Sequence, residues 1–244
     1  GTIYHSGYVT EGVIKTGDQL QLVLDVSRRK ATARNHTATH LLHAALRQVL
    51  GEHVNQAGSQ VAPDRLRFDF SHFAPVSNEE LAEVEKIVNN AILEGLAIGI
   101  IETTQDLAKA MGAMALFGEK YGSKVRVVMA GDFSKELCGG THVGNTAEIG
   151  LFKIVAEGGI GAGIRRIEAL TGAGALDYIN EREKLLATAA GILKTRIEEL
   201  LSRAETLLAE LKETEHELVA ANTKLAKVAV QDLLANVETV GDIK

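Results

Sequence analysis

The sequence of 244 residues has no Trp, two Pro and one Cys. One Cys cannot form an intrachain disulfide, so the fold must rest on its core, and a reducing, cytoplasmic compartment is expected. Scarce Pro favours long uninterrupted helix. No apolar run approaches the roughly 18 residues needed to cross a bilayer, so no membrane span is expected. The chain opens on Gly1, with no initiator Met and no signal-like start. Positive charge is also short. With 26 Lys+Arg against 32 Asp+Glu the net charge is −6, which excludes a protein that holds polyanions by bulk charge alone. A local basic patch stays compatible with it. What is present is ordinary for a globular protein: 45% hydrophobic and 24% charged residues, which excludes wholesale disorder. The length suits one sizeable domain plus an appendage.

Composition changes near residue 175. Before it, Gly is frequent and short β-like runs alternate with helix-like ones. After it, Gly191 is the one Gly before Gly241. This predicts a mixed domain followed by a helical arm. Leu186, Ala190, Leu193, Ile197, Leu200, Ala204, Leu207, Leu211, Leu218, Leu225 and Val228 keep 3–4 spacing, with Thr214 and Ala221 in the remaining slots. About six heptads of this kind mark a coiled coil or helical hairpin. The pattern suits a partner helix in the same chain or in a second copy. A new apolar, Gly-containing stretch at 238–244 predicts that more chain follows.

Thr2 to Val26 reads as strands, and Arg28, Arg29, Lys30 and Arg34 as a basic connector. A helix is predicted from His36 to Leu50, stopped by Gly51. Leu66 to Phe70 alternates as a strand. Ser77-Asn78-Glu79-Glu80 is a capping box opening a helix that ends near Gly95. Strands follow at Leu96–Thr103 and Lys124–Ala130, with a short helix from Gln105 to Ala110 between them. Strands at Ile149–Ala156 and Gly163–Leu170 are joined by a Gly-rich turn. The expected fold class is α+β, with helices on a mostly antiparallel sheet and a long coiled-coil-like arm.

Two motifs carry chemistry. His36-Thr37-Ala38-Thr39-His40 projects two imidazoles from one helical face. Cys138-Gly139-Gly140-Thr141-His142 brings a thiolate and an imidazole together through a turn that two Gly allow. Their union, His36, His40, Cys138 and His142, is a nitrogen/sulfur set suited to one Zn2+ ion. Thr37 stands where a zinc protease would carry its general-base Glu, which argues against peptide hydrolysis of that type. His43 shares the helical face and reads as a neighbour packed one turn on.

These motifs lie in a longer series: Asn35 to Arg47, Gln56-Ala57-Gly58-Ser59, Arg67-Phe68-Asp69-Phe70-Ser71-His72, Gly112 to Tyr121, Glu136 to His142, and Arg165-Arg166-Ile167-Glu168-Ala169. In this order they resemble alanyl-tRNA synthetase of the bacterial type, over its editing domain and the helical region that follows. The resemblance implies four parts. Residues 1–30 would be the tail of a barrel-like, β-rich segment, 31–174 a zinc-containing editing domain, 175–237 the helical arm and 238–244 the start of a further region. It implies hydrolysis of the ester of tRNA for alanine mischarged with Ser or Gly. It implies Zn2+ at His36, His40, Cys138 and His142, an amino-acid pocket lined by Thr39, Gln56 and Ser59, and a need for Cys138 in editing.

Rejecting alanyl-tRNA while cleaving seryl-tRNA means sensing one hydroxyl. A pocket that hydrogen-bonds a substrate hydroxyl is left unpaired by a substrate lacking it. Thr39, on the helix of the His pair, is expected to point into the site, with Gln56 and Ser59 in a loop closing over it. The plain alternative for Thr39 is a hydroxyl bonded to its own i−4 carbonyl. Two zinc roles are open: lowering the pKa of a bound water, or, because four protein donors fill a tetrahedron, anchoring the pocket while a separate water attacks, which is the role expected here. Candidate phosphate contacts are Arg28, Arg29, Lys30, Arg34, Arg65, Arg67, Lys120, Lys124, Arg165 and Arg166. Arg165 has the best case because it follows the Gly-rich Glu157–Gly163 loop. Three other readings compete: a threonyl-type editing domain, a free-standing editing protein, and a non-catalytic zinc-containing tRNA-binding or dimerisation module.

Overall fold

The computed structural model describes residues 4–114 and 122–235, with no side-chain placement for 234 and 235. The segment 115–121, with Lys120 and most of the Gly112–Tyr121 motif, lies outside the described residues, as does 238–244. The fold is α+β, with two antiparallel sheets, packed helices and a long C-terminal helix. By internal packing the chain divides into Gly1–Leu176 and Asp177–Lys244.

In the first unit, helix α1 runs Val26–Leu50 and α2 runs Asn78–Leu93. Buried Ala38, Leu41, Leu42, Ala45 and Leu46 recur at helical spacing on α1, and Val84, Val88, Ala91 and Ile92 do so on α2. Both stripes join one core with Leu66, Phe68, Phe70, Phe152, Ile167 and Ala169. These come from a four-stranded sheet ordered β1-β2-β7-β6, with β1 Gln56–Val61, β2 Leu66–Ser71, β6 Phe152–Gly161 and β7 Ile164–Thr171. A second sheet, β3-β4-β5, consists of Ile98–Thr104, Lys124–Ala130 and Ser134–Leu137. It packs helix α3, Gln105–Ala110, over a small core of Ala108, Val125, Val127 and Leu137.

Several boundaries differ from the sequence reading. Helix α1 begins ten residues before His36, because Asp25 caps it, accepting the Arg28 N–H at 2.9 Å. Arg28, Arg29, Lys30 and Arg34 therefore sit on its first turns, and no connector precedes it. The strands expected in Thr2–Val26 are absent from residues 4–25, where side chains such as Tyr8 and Leu22 are exposed and no strand pairs with the segment. Alternation selects a strand only where a neighbour supplies the ladder. The short β5 and the 3-10 turn Thr146–Ile149 carried no periodic signal. The capping box at Ser77 is present, with both reciprocal hydrogen bonds.

In the second unit the arm is two helices. Helix α4 spans Gly172–Ile192 and α5 spans Leu200–Ala235. The helical arm is thus interrupted between Ile192 and Leu200, without proline. Lys194 takes a left-handed conformation (φ 52°) and the Thr195 N–H returns to the Ala190 carbonyl. Along α5, Leu211, Leu218, Leu225 and Val228 are exposed. No helix among the described residues is long and apolar enough to cross a membrane.

Candidate metal centre

The two motifs meet in space. His36 and His40 lie one turn apart in the middle of α1. Cys138 directly follows β5, and its N–H extends the ladder to the Arg126 carbonyl at 3.0 Å. The loop then turns back toward α1. One potential ligand atom from each of His36, His40, Cys138 and His142 falls within 4.8 Å of all the others. The Cys138 Sγ lies 3.3 Å from both His36 Nε2 and His142 Nε2. Bond lengths of about 2.0–2.3 Å in a tetrahedron give donor separations of about 3.4–3.6 Å, so the donor set fits one small, borderline-soft ion. The described residues thus hold a cluster able to bind a metal.

The environment prepares the ligands. Burial, then the neighbouring His40, lowers the His36 pKa to about 4, and burial with His40 and His36 lowers His142 to about 2. Burial also lowers His40, against the opposing pull of Glu136. At neutral pH all three imidazoles are neutral, the form that donates to a metal.

Sequence reasoning missed the residues that aim these ligands. Buried Glu136 accepts from His43 Nδ1 at 3.1 Å and lies 3.8 Å from His40 Nδ1. Burial pushes its carboxyl pKa up, but His40, His43 and the Ser134 hydroxyl outweigh this and keep it low. The carboxylate thereby draws His40 Nδ1 toward itself, leaving Nε2 for the cluster, as in carboxylate–histidine–metal arrangements. His43 stands outside the cluster, with its ring 5.3 Å from that of Phe68. Thr37 Oγ1 lies 3.1 Å from His142 Nδ1 and accepts the Val143 N–H at 3.2 Å. With His142 Nε2 toward the sulfur, its Nδ1–H donates to Thr37. Arg126 Nη1 donates to the Cys138 and Gly140 carbonyls, each at 2.8 Å, and so clamps the turn. A Cβ on Gly140 would fall 2.0 Å from His36 Cε1. The one available signal was Arg126 within the apolar run 125–130; Glu136, in the mixed strand Ser134–Leu137, carried none.

The pocket candidates are placed differently from expectation. Gln56 and Ser59 are on strand β1, not in a loop. They pair opposite Phe70 and Phe68, so they share the sheet face that α1 covers. Residues three apart normally face opposite ways. A bulge between Gln56 and Gly58 adds one residue and brings both to the same side, with Gln56 Nε2 3.4 Å from Ser59 Oγ. Among the described residues, no hydrogen bond ties either to the His/Cys cluster. Thr39 is buried and donates to the Asn35 carbonyl at 2.9 Å, the i−4 bond of the plain alternative. Asn35 in turn donates to the Ala62 carbonyl and accepts from Thr171 Oγ1, each at 2.7 Å, tying α1 to the sheet.

The expected RNA contacts also change. Glu157 to Gly161 belongs to β6, so the Gly-rich segment is strand up to a tight turn. Arg165 grips Glu157 with two hydrogen bonds of 2.6 and 2.7 Å, and Arg166 grips Asp69 with two of 2.7 and 2.8 Å. Both guanidiniums are spent on carboxylates of the same sheet. Arg34, half-buried on α1, makes no ion pair among the described residues.

Comparison with known proteins agrees with this geometry. Residues 125–168, from β4 through most of β7, match the threonyl and alanyl tRNA synthetase second additional domain. The whole chain is similar to one part of bacterial alanine–tRNA ligases. It is 54% identical to that of Desulforamulus reducens over 243 residues, covering 100% of this chain and 28% of the relative. It is 54% identical to that of Listeria monocytogenes over 240 residues, covering 98% and 27%. It is 50% identical to that of Acetivibrio thermocellus over 244 residues, covering 100% and 28%. The chain spans just over a quarter of the length of these relatives.

Proposed function

We propose that this chain is the editing part of an alanine–tRNA ligase and hydrolyses the ester of tRNA for alanine mischarged with Ser or Gly. The observation that carries this reading is the meeting of two motifs about a hundred residues apart in one buried His/Cys cluster, in a chain 54% identical to an alanine–tRNA ligase along its whole length. On this reading residues 31–174 are the editing domain, 1–30 the tail of a preceding β-rich segment, 175–237 the arm and 238–244 the start of a further region. The arm packs on a partner helix, in its own chain or a second copy, and the protein works in the cytoplasm.

His36, His40, Cys138 and His142 hold one Zn2+ ion. When bound, the ion supplies positive charge that orders the pocket and polarises what lies beside it. Four protein donors favour an anchoring role. In the hydrolysis, a water oxygen bonds to the ester carbonyl carbon, the bond to the ribose oxygen breaks, and a proton passes from the water to that oxygen. Because the Thr39 hydroxyl proton is committed to the Asn35 carbonyl, Thr39 can only accept. It accepts from the seryl hydroxyl, a donor that the alanyl ester lacks. Gln56 and Ser59 complete the pocket from β1.

The test is deacylation of Ser-tRNA and Ala-tRNA specific for alanine, with zinc analysis of the same sample. We expect cleavage of the seryl ester, its loss in Cys138→Ala, and a rise in alanyl cleavage in Thr39→Gly. Zinc bound without seryl cleavage would replace this reading with the non-catalytic module. Preferential cleavage of Ser-tRNA for threonine would replace it with the threonyl type.

A further inference from the structure

A cavity of about 160 Å³ opens beside the metal cluster, walled by Arg29, Lys30, Arg34, Thr141, His142 and Glu148. Three of these six groups are cationic. The one carboxylate is already engaged: Glu148 accepts the Gly144 and Asn145 N–H groups at 2.9 and 3.1 Å. Arg29 Nη1 donates to Thr141 Oγ1 at 2.6 Å, which leaves its other donors free. Lys30 and Arg34 make no ion pair and no side-chain hydrogen bond among the described residues. This contrasts with Arg165 and Arg166, whose charges are cancelled within the sheet. Three cations around a small cavity repel one another, and an anion relieves that repulsion. Guanidinium groups suit phosphate oxygens, with which they form paired, charge-assisted hydrogen bonds.

We propose that this cavity binds the RNA phosphodiester group immediately preceding the terminal nucleoside that carries the amino acid. The proposal rests on the deacylase reading and adds to it a phosphate site. His142 is shared: it is a metal-cluster residue and a wall of the cavity. An anion held there lies one residue from the cluster, so the nucleoside bearing the ester spans from cavity to cluster. The site also explains how a chain of net charge −6 engages RNA. Three cations are gathered on the first turns of α1 around this cavity, at the place where the substrate's charged backbone must pass. Fixing one phosphate orients the ester without touching it.

The test uses the full chain with its metal, Lys30→Gln and Arg34→Gln, and two substrates. One is seryl-tRNA for alanine, and the other is 3′-O-seryl adenosine, which has no phosphate. Each variant should raise KM for the tRNA substrate by about 5- to 10-fold, leave kcat within about twofold, and leave cleavage of the adenosine ester unchanged. The salt slope for binding uncharged tRNA should fall by about one for each lost phosphate contact. Wild-type behaviour on both substrates would overturn the proposal. So would equal losses on both, which would mean that the residues act by supporting the metal loop. Stabilisation by inorganic phosphate alone that is lost in Arg34→Gln, with an unchanged tRNA salt slope, would assign the cavity to a free anion and overturn it too. If wild type cleaves neither ester, the deacylase reading fails, while the salt slope still decides the phosphate site.

Discussion

At the residue scale, the candidate metal centre depends on groups outside the His/Cys cluster. Glu136 orients His40, Thr37 receives His142, and Arg126 holds the Cys138–Gly140 carbonyls. Such supports typically change metal affinity by about 10- to 100-fold. Gly140 is the most demanding position, since any Cβ there overlaps the His36 ring, at 2.0 Å from Cε1. Gly140→Ala must therefore push His36 aside. We expect its zinc affinity to fall by about 100-fold or more in chelator competition, with the far-UV circular dichroism of α1 retained. Retained affinity would mean that His36 is dispensable. The two motifs were legible in the sequence because ligand chemistry restricts residue type. Their supports were not, since Glu, Thr and Arg have many ordinary uses and reveal this one only through distance.

At the scale of elements, the two sides of the site come from α1 and from the end of β5, while the pocket candidates come from β1. The helices, the Ser77 cap and β4 were readable because period and capping chemistry are local. The start of α1 was not, because the charged run Arg28–Arg34 carries no apolar stripe and only the Asp25 cap sets its limit. The bulge in β1 decides which face the two pocket candidates present. It turns Gln56 and Ser59 to the same face, toward α1. Deleting the extra residue, Ala57, would leave Gln56 and Ser59 two apart and still on one face, so the place of Gln56 is tested by Gln56→Ala. On the proposed function, Gln56→Ala should raise alanyl relative to seryl ester cleavage by about tenfold, with zinc content unchanged. The two deacylation rates and a metal assay on one preparation check it. An unaltered ratio would remove Gln56 from the pocket.

At the scale of the whole molecule, burying three imidazoles together links stability to acidity. The folded pKa values of His36 and His142 are lowered to about 4 and about 2, chiefly by burial. The unfolded values stay near 6.5. Between pH 6.5 and about 4 the unfolded chain of the metal-free protein therefore binds protons that the folded one refuses. Stability is greatest above pH 6.5 and falls as the pH drops through this window, by on the order of 1.4 kcal/mol per pH unit for each such histidine. Urea unfolding in the presence of chelator at pH 7.5, 6 and 5 measures it. A midpoint that stays constant or rises toward pH 5 would contradict the burial of the cluster.

The chain's sequence was enough to establish the α+β class, most helices and strands, and the four candidate ligands. Each depends on local period, on capping or on a rare residue type, and local interactions are written in neighbouring letters. Folding in three dimensions decided the rest. It joined His36 and His40 to Cys138 and His142, spent Arg165 and Arg166 on carboxylates, and left Arg34 and Lys30 beside His142 with no ion pair among the described residues. It also broke the arm at Lys194 without a proline. Those outcomes depend on which distant groups compete for the same partner. Only the packed chain sets the distances over which charge, hydrogen bonding and volume act.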